Sequence, residues 1–224
     1  MAATREERAA EHVWTVVVGG GTGRRFGGPK QYEALGDRRV IDHAVATAAA
    51  ASEGVVVVLP PSDAAREGAV AGGATRTESV RNGLAAVPPS ATIVCVHDGA
   101  RPFASEALYR AVVAAVADGA DGAVPGVPIA DTIKIITDSS VDPTEVVDTP
   151  PRARLVAVQT PQAFRADTLR TAYAAAAIAE ATDDATLVEH AGGRVVVVPG
   201  DVDNRKITHV ADLDWARSLI GASS

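Results

Sequence analysis

Short valine-rich runs alternate along this chain with alanine-rich stretches of helical length. The apolar runs cover residues 12–18, 55–59, 92–96, 122–127, 155–158 and 194–198. Between them the spacing of apolar positions predicts helices over about 40–52, 76–86, 105–117, 166–180, 183–191 and 210–219. Brief β-branched runs separated by helices imply a Rossmann-like, mostly parallel sheet with helices on both faces, an α/β fold. No internal repeat and no long linker interrupts the pattern, so residues 1–224 are expected to form one domain.

One segment departs from this rhythm. Residues 131–153 carry two short β-like stretches, 132–137 and 144–147, separated by the polar turn sequence 138–143. This predicts a β-hairpin projecting from the main sheet. A bare hairpin is marginal in water unless something packs on it. It is therefore read either as a surface lid or as an arm that joins two copies of the chain, and the second reading is preferred.

Composition narrows the function. The formal net charge is −7, so the surface as a whole repels nucleic acid and anionic membranes. Anion binding must then be local, at a few placed cations. The single cysteine, Cys95, excludes an intrachain disulfide and suits a reducing cytoplasm. No run approaches the roughly 18–20 apolar residues that span a bilayer. The first dozen residues are charged and lack the apolar core of a signal peptide, and they read as a frayed start.

Four segments carry candidate chemistry. The first follows the first strand: Gly19, Gly20, Gly21 and Gly23, then Arg25, Pro29 and Lys30. Glycines let backbone N–H groups turn toward an anion. Arg25 can fork across phosphate oxygens, and Lys30 can place a point charge. The ending of a Walker A loop is absent, and the dinucleotide fingerprint is not matched cleanly. The second segment, Gly72-Gly73-Ala74-Thr75 through Ser79, opens a helix. Thr75 and Glu78 have capping-box spacing; equally, Ser79 and the glycine backbone could read a base. The third is His97-Asp98-Gly99-Ala100-Arg101, at the carboxyl end of an apolar strand. A carboxylate there, facing a phosphate loop, calls for a bridging cation, and Mg²⁺ is the natural one. His97 has no metal-ligand partner nearby in the sequence and reads as structural. The fourth, Gly200 through Thr208, places Asp203 for a metal shell and Lys206 for charge neutralisation, unless it is simply a solvated loop.

The ordered set resembles the 2-C-methyl-D-erythritol 4-phosphate cytidylyltransferase family. The resemblance runs from about residue 13 to the end. It also includes Asp131-Thr132-Ile133-Lys134, Thr160-Pro161-Gln162 and Thr182-Asp183-Asp184. It implies a nucleotidyltransferase-type fold and transfer of a cytidylyl group from CTP, with Mg²⁺, to a small sugar-alcohol phosphate in isoprenoid precursor biosynthesis. By resemblance, Arg25, Lys30 and Lys206 are catalytic. Gly19, Gly20, Gly21, Gly23, Gly73, Ala74, Ser79 and Gly99 bind nucleotide. Arg101, Thr132, Arg152 and Thr160 bind the acceptor, and Asp98 is the magnesium-side carboxylate. The arm implies a homodimer in which Thr132 and Arg152 serve the neighbour's site. Here Gly19, Gly20 and Gly99 replace alanines usual in the family, and Ala74 stands where an acidic residue is often found. These changes remove wall atoms near the base and loosen the expected selection for cytosine. Ribitol 5-phosphate is the alternative acceptor; another sugar phosphate or molybdopterin defines a wider rival class. A non-catalytic nucleotide-binding protein is the alternative of a different class, and a redox Rossmann enzyme fits the glycine pattern less well.

Overall fold

A computed structural model describes residues 11–21, 23, 25–137, 140, 142–175 and 183–222. The expected frayed start up to residue 10, the far end of the helix over 166–180, Thr182 and half of the hairpin turn lie outside these residues.

The chain begins with β1 (Val13–Val18) and a small ribbon of β2 (Ala34–Leu35) and β3 (Arg38–Arg39), followed by α1 (Val40–Ala51). Next come β4 (Gly54–Leu59), α2 (Pro61–Ala64), β5 (Val70–Ala71), α3 (Arg76–Ala85), β6 (Ile93–Asp98), α4 (Glu106–Ala117) and β7 (Gly122–Pro128). The hairpin strands are β8 (Ile135–Ile136) and β9 (Val146–Asp148). After them follow β10 (Val156–Val158), β11 (Gln162–Arg165), α5 (Ala166–Ala175), α6 (Asp184–His190), β12 (Val195–Pro199) and α7 (Val210–Ala222).

The main sheet has eight strands in the order β10-β7-β11-β6-β1-β4-β5, with β12 also paired to β7. Strand β1 runs parallel to both β4 and β6, and β12 runs parallel to β7. Strands β10 and β11 run antiparallel to their neighbours. Each of the six apolar runs yields a strand. Strand β11 was not expected, because Gln162-Ala163-Phe164-Arg165 has neither alternation nor β-branching; its place comes from pairing with the buried β6.

Alternation along each strand explains the two-faced core. Val16, Val94 and Val96 pack into one apolar cluster with residues of α3, α5 and α6. Val17, Ile93 and Cys95 face the opposite cluster, with α1 and α4. Cys95, inside the apolar run 92–96, is fully buried. A third cluster seats α7 against Leu35, Val40 and Ile207.

The hairpin forms a separate two-stranded sheet. Its strands are shorter than the sequence suggested, since little packs on them; Ile135, Ile136, Val146 and Val147 are all exposed. Arg152 donates to the carbonyl of Ala130 at 2.7 Å, tying together the two ends of the arm. Among the described residues, no helix is long and apolar enough to cross a membrane.

Candidate active site

Strands β1 and β6 lie side by side with Val18 opposite Asp98, so both chains leave the sheet at the same edge. The backbone of the next residues stays locked: Gly19 N–H donates to Val58 O at 2.8 Å, and Gly99 N–H to Val18 O at 2.9 Å. This is the carboxyl edge of the parallel strands, where open α/β sheets bind ligands. The glycine loop then folds on itself. Gly23 has φ +65°, and a Cβ there would overlap the carbonyl of Gly28, so only glycine fits.

A cavity of about 490 Å³ opens at this edge. Its wall brings together Gly19, Gly20, Gly21, Gly23, Arg25, Lys30, Gly73, Ala74, Ser79, Asp98 and Lys206, as expected from the sequence. The capping reading of the second segment holds. Thr75 Oγ1 accepts from Glu78 N–H at 3.1 Å, and the Glu78 carboxylate accepts from Thr75 N–H at 3.3 Å, a complete capping box. Ser79 Oγ meanwhile accepts from Gly73 N–H at 3.1 Å and lines the cavity.

The missing alanine methyls do not simply enlarge this cavity. A Cβ on Gly19 would lie 2.7 Å from Ile41 Cδ1, and one on Gly99 would lie 3.2 Å from the same atom. The buried Ile41 of α1 therefore fills the space beneath both glycines. Gly99 itself lies outside the cavity wall. At Gly20 a Cβ would sit 3.4 Å from Ser79 Oγ.

Asp98 is the electrostatic centre. Lys206 Nζ lies 2.7 Å from its Oδ2, Arg76 Nε 3.7 Å from Oδ1, and Arg101 Nε 3.8 Å from Oδ2. Burial pushes the carboxyl upward, but Lys206, Arg76 and Arg101 outweigh it and hold the group well below the usual carboxylate range. Asp98 is thus a fixed anion and carries no proton at neutral pH. Lys30 sits in a short 3₁₀ turn after Pro29. Burial lowers its pKa, and the nearby charges of Lys206 and Arg25 lower it further.

Lys206 is held by a hydrogen-bonded loop. Gln159 donates to Asp201 O at 2.7 Å and accepts from Asp201 N–H at 3.1 Å. Asn204, fully buried, donates to Thr160 O at 2.8 Å, and Arg101 donates to Asn204 O at 2.7 Å. Thr160 Oγ1 accepts from Asp98 N–H at 3.0 Å and lies 3.1 Å from His97 Nδ1. His97 Nε2 in turn lies 3.2 Å from Arg101 O. Burial holds the imidazole pKa down, to about 4, so the ring is neutral and braces the turn, as its sequence context suggested.

A second cavity of about 550 Å³ adjoins the first and is lined by Arg101, Thr160 and Gln159. Arg76, Asp98 and Lys206 line both cavities. Thr132, Arg152 and Asp203 are exposed and line neither. Sequence reasoning missed Arg76 and Gln159 in these walls. Arg76 lies inside the second segment, but nothing in the sequence ties it to Asp184, 108 positions away.

Mg²⁺ fits this chemistry in a limited way. Among the described residues, no group of three or more His, Cys, Asp or Glu forms a metal cage. Among the described residues, Asp98 is the one acidic side chain in the glycine-rich cavity wall. One carboxylate together with substrate phosphate oxygens is a usual magnesium arrangement, and a dedicated protein cage is not required.

The comparisons agree with this geometry. The family model for 2-C-methyl-D-erythritol 4-phosphate cytidylyltransferase matches residues 13–222. The enzyme of that name from Streptomyces avermitilis is 42% identical over 226 residues, covering 92% of this chain and 90% of the relative. The crystal structure of the Thermus thermophilus enzyme is 35% identical with a TM-score of 0.76, covering 92% of this chain and 98% of that one. The 4-diphosphocytidyl-2C-methyl-D-erythritol synthase of Anaerococcus prevotii superposes with a TM-score of 0.81 at 28% identity, covering 94% and 99%. The match of the family model across nearly the whole chain and the identity to the relative lead to one conclusion: the chain belongs to the 2-C-methyl-D-erythritol 4-phosphate cytidylyltransferase family.

Proposed function

We infer that the chain transfers a cytidylyl group from CTP to 2-C-methyl-D-erythritol 4-phosphate, releasing pyrophosphate, in isoprenoid precursor biosynthesis. The observation that carries this reading is the wall of Arg76, Asp98 and Lys206 shared by two adjoining cavities. One cavity suits the nucleotide, the other the acceptor, and the reacting atoms would meet at the wall.

An acceptor phosphate oxygen attacks the α-phosphorus of CTP. The new O–P bond forms as the bond to the β-phosphate oxygen breaks, and pyrophosphate leaves. A phosphate monoester is largely dianionic at neutral pH, so no strong general base is needed. The protein's work is positioning and charge neutralisation. Arg25 grips phosphate oxygens, Lys30 and Lys206 meet the charge that gathers at the α-phosphorus, and Arg101 draws the acceptor phosphate. Glycine N–H groups, Ser79 and the Gly73-Ala74 backbone line the base and ribose. Mg²⁺, held through Asp98 and the phosphates, would neutralise charge on the triphosphate.

The exposed apolar hairpin supports a homodimer. Val146 and Val147 are 57% and 62% exposed, beside exposed Ile135 and Ile136. An apolar face of this kind favours a partner, and a second copy would bring Thr132 and Arg152 toward a neighbouring acceptor cavity. Cytoplasmic residence is inferred from the single buried cysteine.

A pyrophosphate-release screen of CTP, UTP, GTP and ATP against methylerythritol phosphate and ribitol phosphate tests the reading. CTP with methylerythritol phosphate should give the fastest release. Equal turnover with UTP or GTP, or faster turnover of ribitol phosphate, would overturn it.

A further inference from the structure

Arg76 is the first residue of α3, directly after the Gly73-Ala74-Thr75 segment that walls the nucleotide cavity. Its guanidinium lies in the wall shared by both cavities, yet its strongest contacts point elsewhere. Nη1 and Nη2 donate to Asp184 Oδ1 and Oδ2 at 3.1 and 2.7 Å, a bidentate fork. Asp184 is fully buried at the start of α6 and lines neither cavity. It also accepts from the Tyr173 hydroxyl at 2.5 Å, so a third donor supports the buried charge. Only the Nε edge of Arg76 faces Asp98, at 3.7 Å, beyond hydrogen-bond reach.

Competition for Asp98 gives this arrangement its meaning. A free guanidinium prefers to grip a carboxylate with two parallel N–H bonds. Asp98 already lies 3.7 Å from Arg76 and is the partner of Lys206 at 2.7 Å. With its fork occupied by Asp184, Arg76 adds positive potential to the wall without displacing Lys206. With the fork released, it would settle on Asp98 and dislodge the ammonium. We propose that Asp184 is a positioning residue: by clamping Arg76 from behind the wall between the two cavities, it reserves Asp98 for Lys206 and keeps Lys206 aimed at the reacting phosphate.

The test compares Asp184→Asn, Arg76→Gln and the double variant, by steady-state kinetics with CTP and methylerythritol phosphate and by thermal melting. The wild-type enzyme, run alongside, tests the activity itself. Rates are taken well below each melting temperature and expressed per folded molecule. Asp184→Asn should lower kcat by about tenfold or more, with KM for CTP within about threefold, because the altered contact acts at the reacting centre. Adding Arg76→Gln should recover part of that loss, since the competing guanidinium is gone while its positive potential on the wall is lost as well. A purely structural ion pair would lower the melting temperature and leave kcat of the folded protein unchanged. That outcome, or a double variant as slow as Asp184→Asn, overturns the proposal. If Asp184→Asn does not fold, Tyr173→Phe keeps both charges and loosens the clamp. It should lower kcat by about two- to threefold at unchanged KM, and an unchanged kcat overturns the proposal.

Discussion

Lys206 Nζ lies 2.7 Å from Asp98 Oδ2, in the wall between two cavities that open at one sheet edge. The pair joins the carboxyl end of a central strand to a loop otherwise anchored through Gln159 and Asn204. The proposed function gives Asp98 two tasks: to aim Lys206 and to share a metal with substrate phosphates.

Asp98→Asn keeps the shape and removes the charge. It should lower kcat by about 10² or more, the scale for losing one preorganised electrostatic contact. A magnesium titration separates the two tasks. Partial recovery at high Mg²⁺ marks the metal role; a loss indifferent to Mg²⁺ marks the aiming of Lys206. Wild-type rates at every Mg²⁺ level would remove Asp98 from the site.

Lys30 should act in the transition state more than in binding. Pro29 fixes φ just before the turn that carries it. Lys30→Ala should therefore cost roughly 10²–10³ in kcat, or about 3–4 kcal/mol, with a smaller rise in KM for CTP. Arg25→Ala should change both. Normal kcat with only a raised KM in Lys30→Ala would show that Lys30 merely binds.

The same residue sets a pH dependence. The needed form is the ammonium, and its pKa lies below the ordinary 10.5 because of burial and the charges of Lys206 and Arg25. As pH rises the free enzyme loses this proton early, so kcat/KM should fall on the alkaline side before 10.5 is reached. Bound triphosphate favours the charged form, so the corresponding limb of kcat should lie at higher pH. Lys30→Arg, which does not titrate there, should abolish the limb of kcat/KM. A limb unchanged in that variant would assign it to another group.

What the sequence revealed follows from how local each signal is. β-branched runs such as Val55–Val58 specify strands through their own composition, and the glycine, Asp98 and Lys206 segments each fall at a strand end. Strand β11 escaped because Gln162-Ala163-Phe164-Arg165 takes its extended form from its neighbours β6 and β7. The Arg76–Asp184 fork escaped because two charged residues 108 positions apart leave no mark on periodicity. Thr132 and Arg152 were assigned by resemblance to a site completed by a second chain, and in one chain they stand exposed.

The arm can be tested through its apolar face. Val146→Asp with Val147→Asp places two charges on its most exposed valines. Light scattering should show a dimer for the wild type and a shift toward monomer for the double variant. Shortening 138–142 to a tight turn should act in the same direction. A monomeric wild-type protein would contradict the dimer.

The last prediction concerns Gly19 and Ile41. A methyl on Gly19 would meet Ile41 Cδ1 at 2.7 Å and Leu59 Cδ2 at 3.0 Å. Both partners are buried, so neither can swing into solvent. Gly19→Ala should then cost about 1–3 kcal/mol through overpacking. Because Gly19 N–H is bonded to Val58 O at 2.8 Å, relief must come partly from the loop above, which lines the glycine-rich cavity. KM for CTP should rise with the loss of stability. Ile41→Val removes the obstructing Cδ1 and alone should cost about 0.5–1.5 kcal/mol. Combined with Gly19→Ala it should recover much of the melting temperature and KM, because the Cδ1 clash is gone and only the 3.0 Å approach to Leu59 Cδ2 remains. Gly20→Ala is the control, since its Cβ would rest 3.4 Å from Ser79 Oγ and needs little adjustment. A double variant as impaired as Gly19→Ala alone would show that Ile41 does not set the residue at position 19.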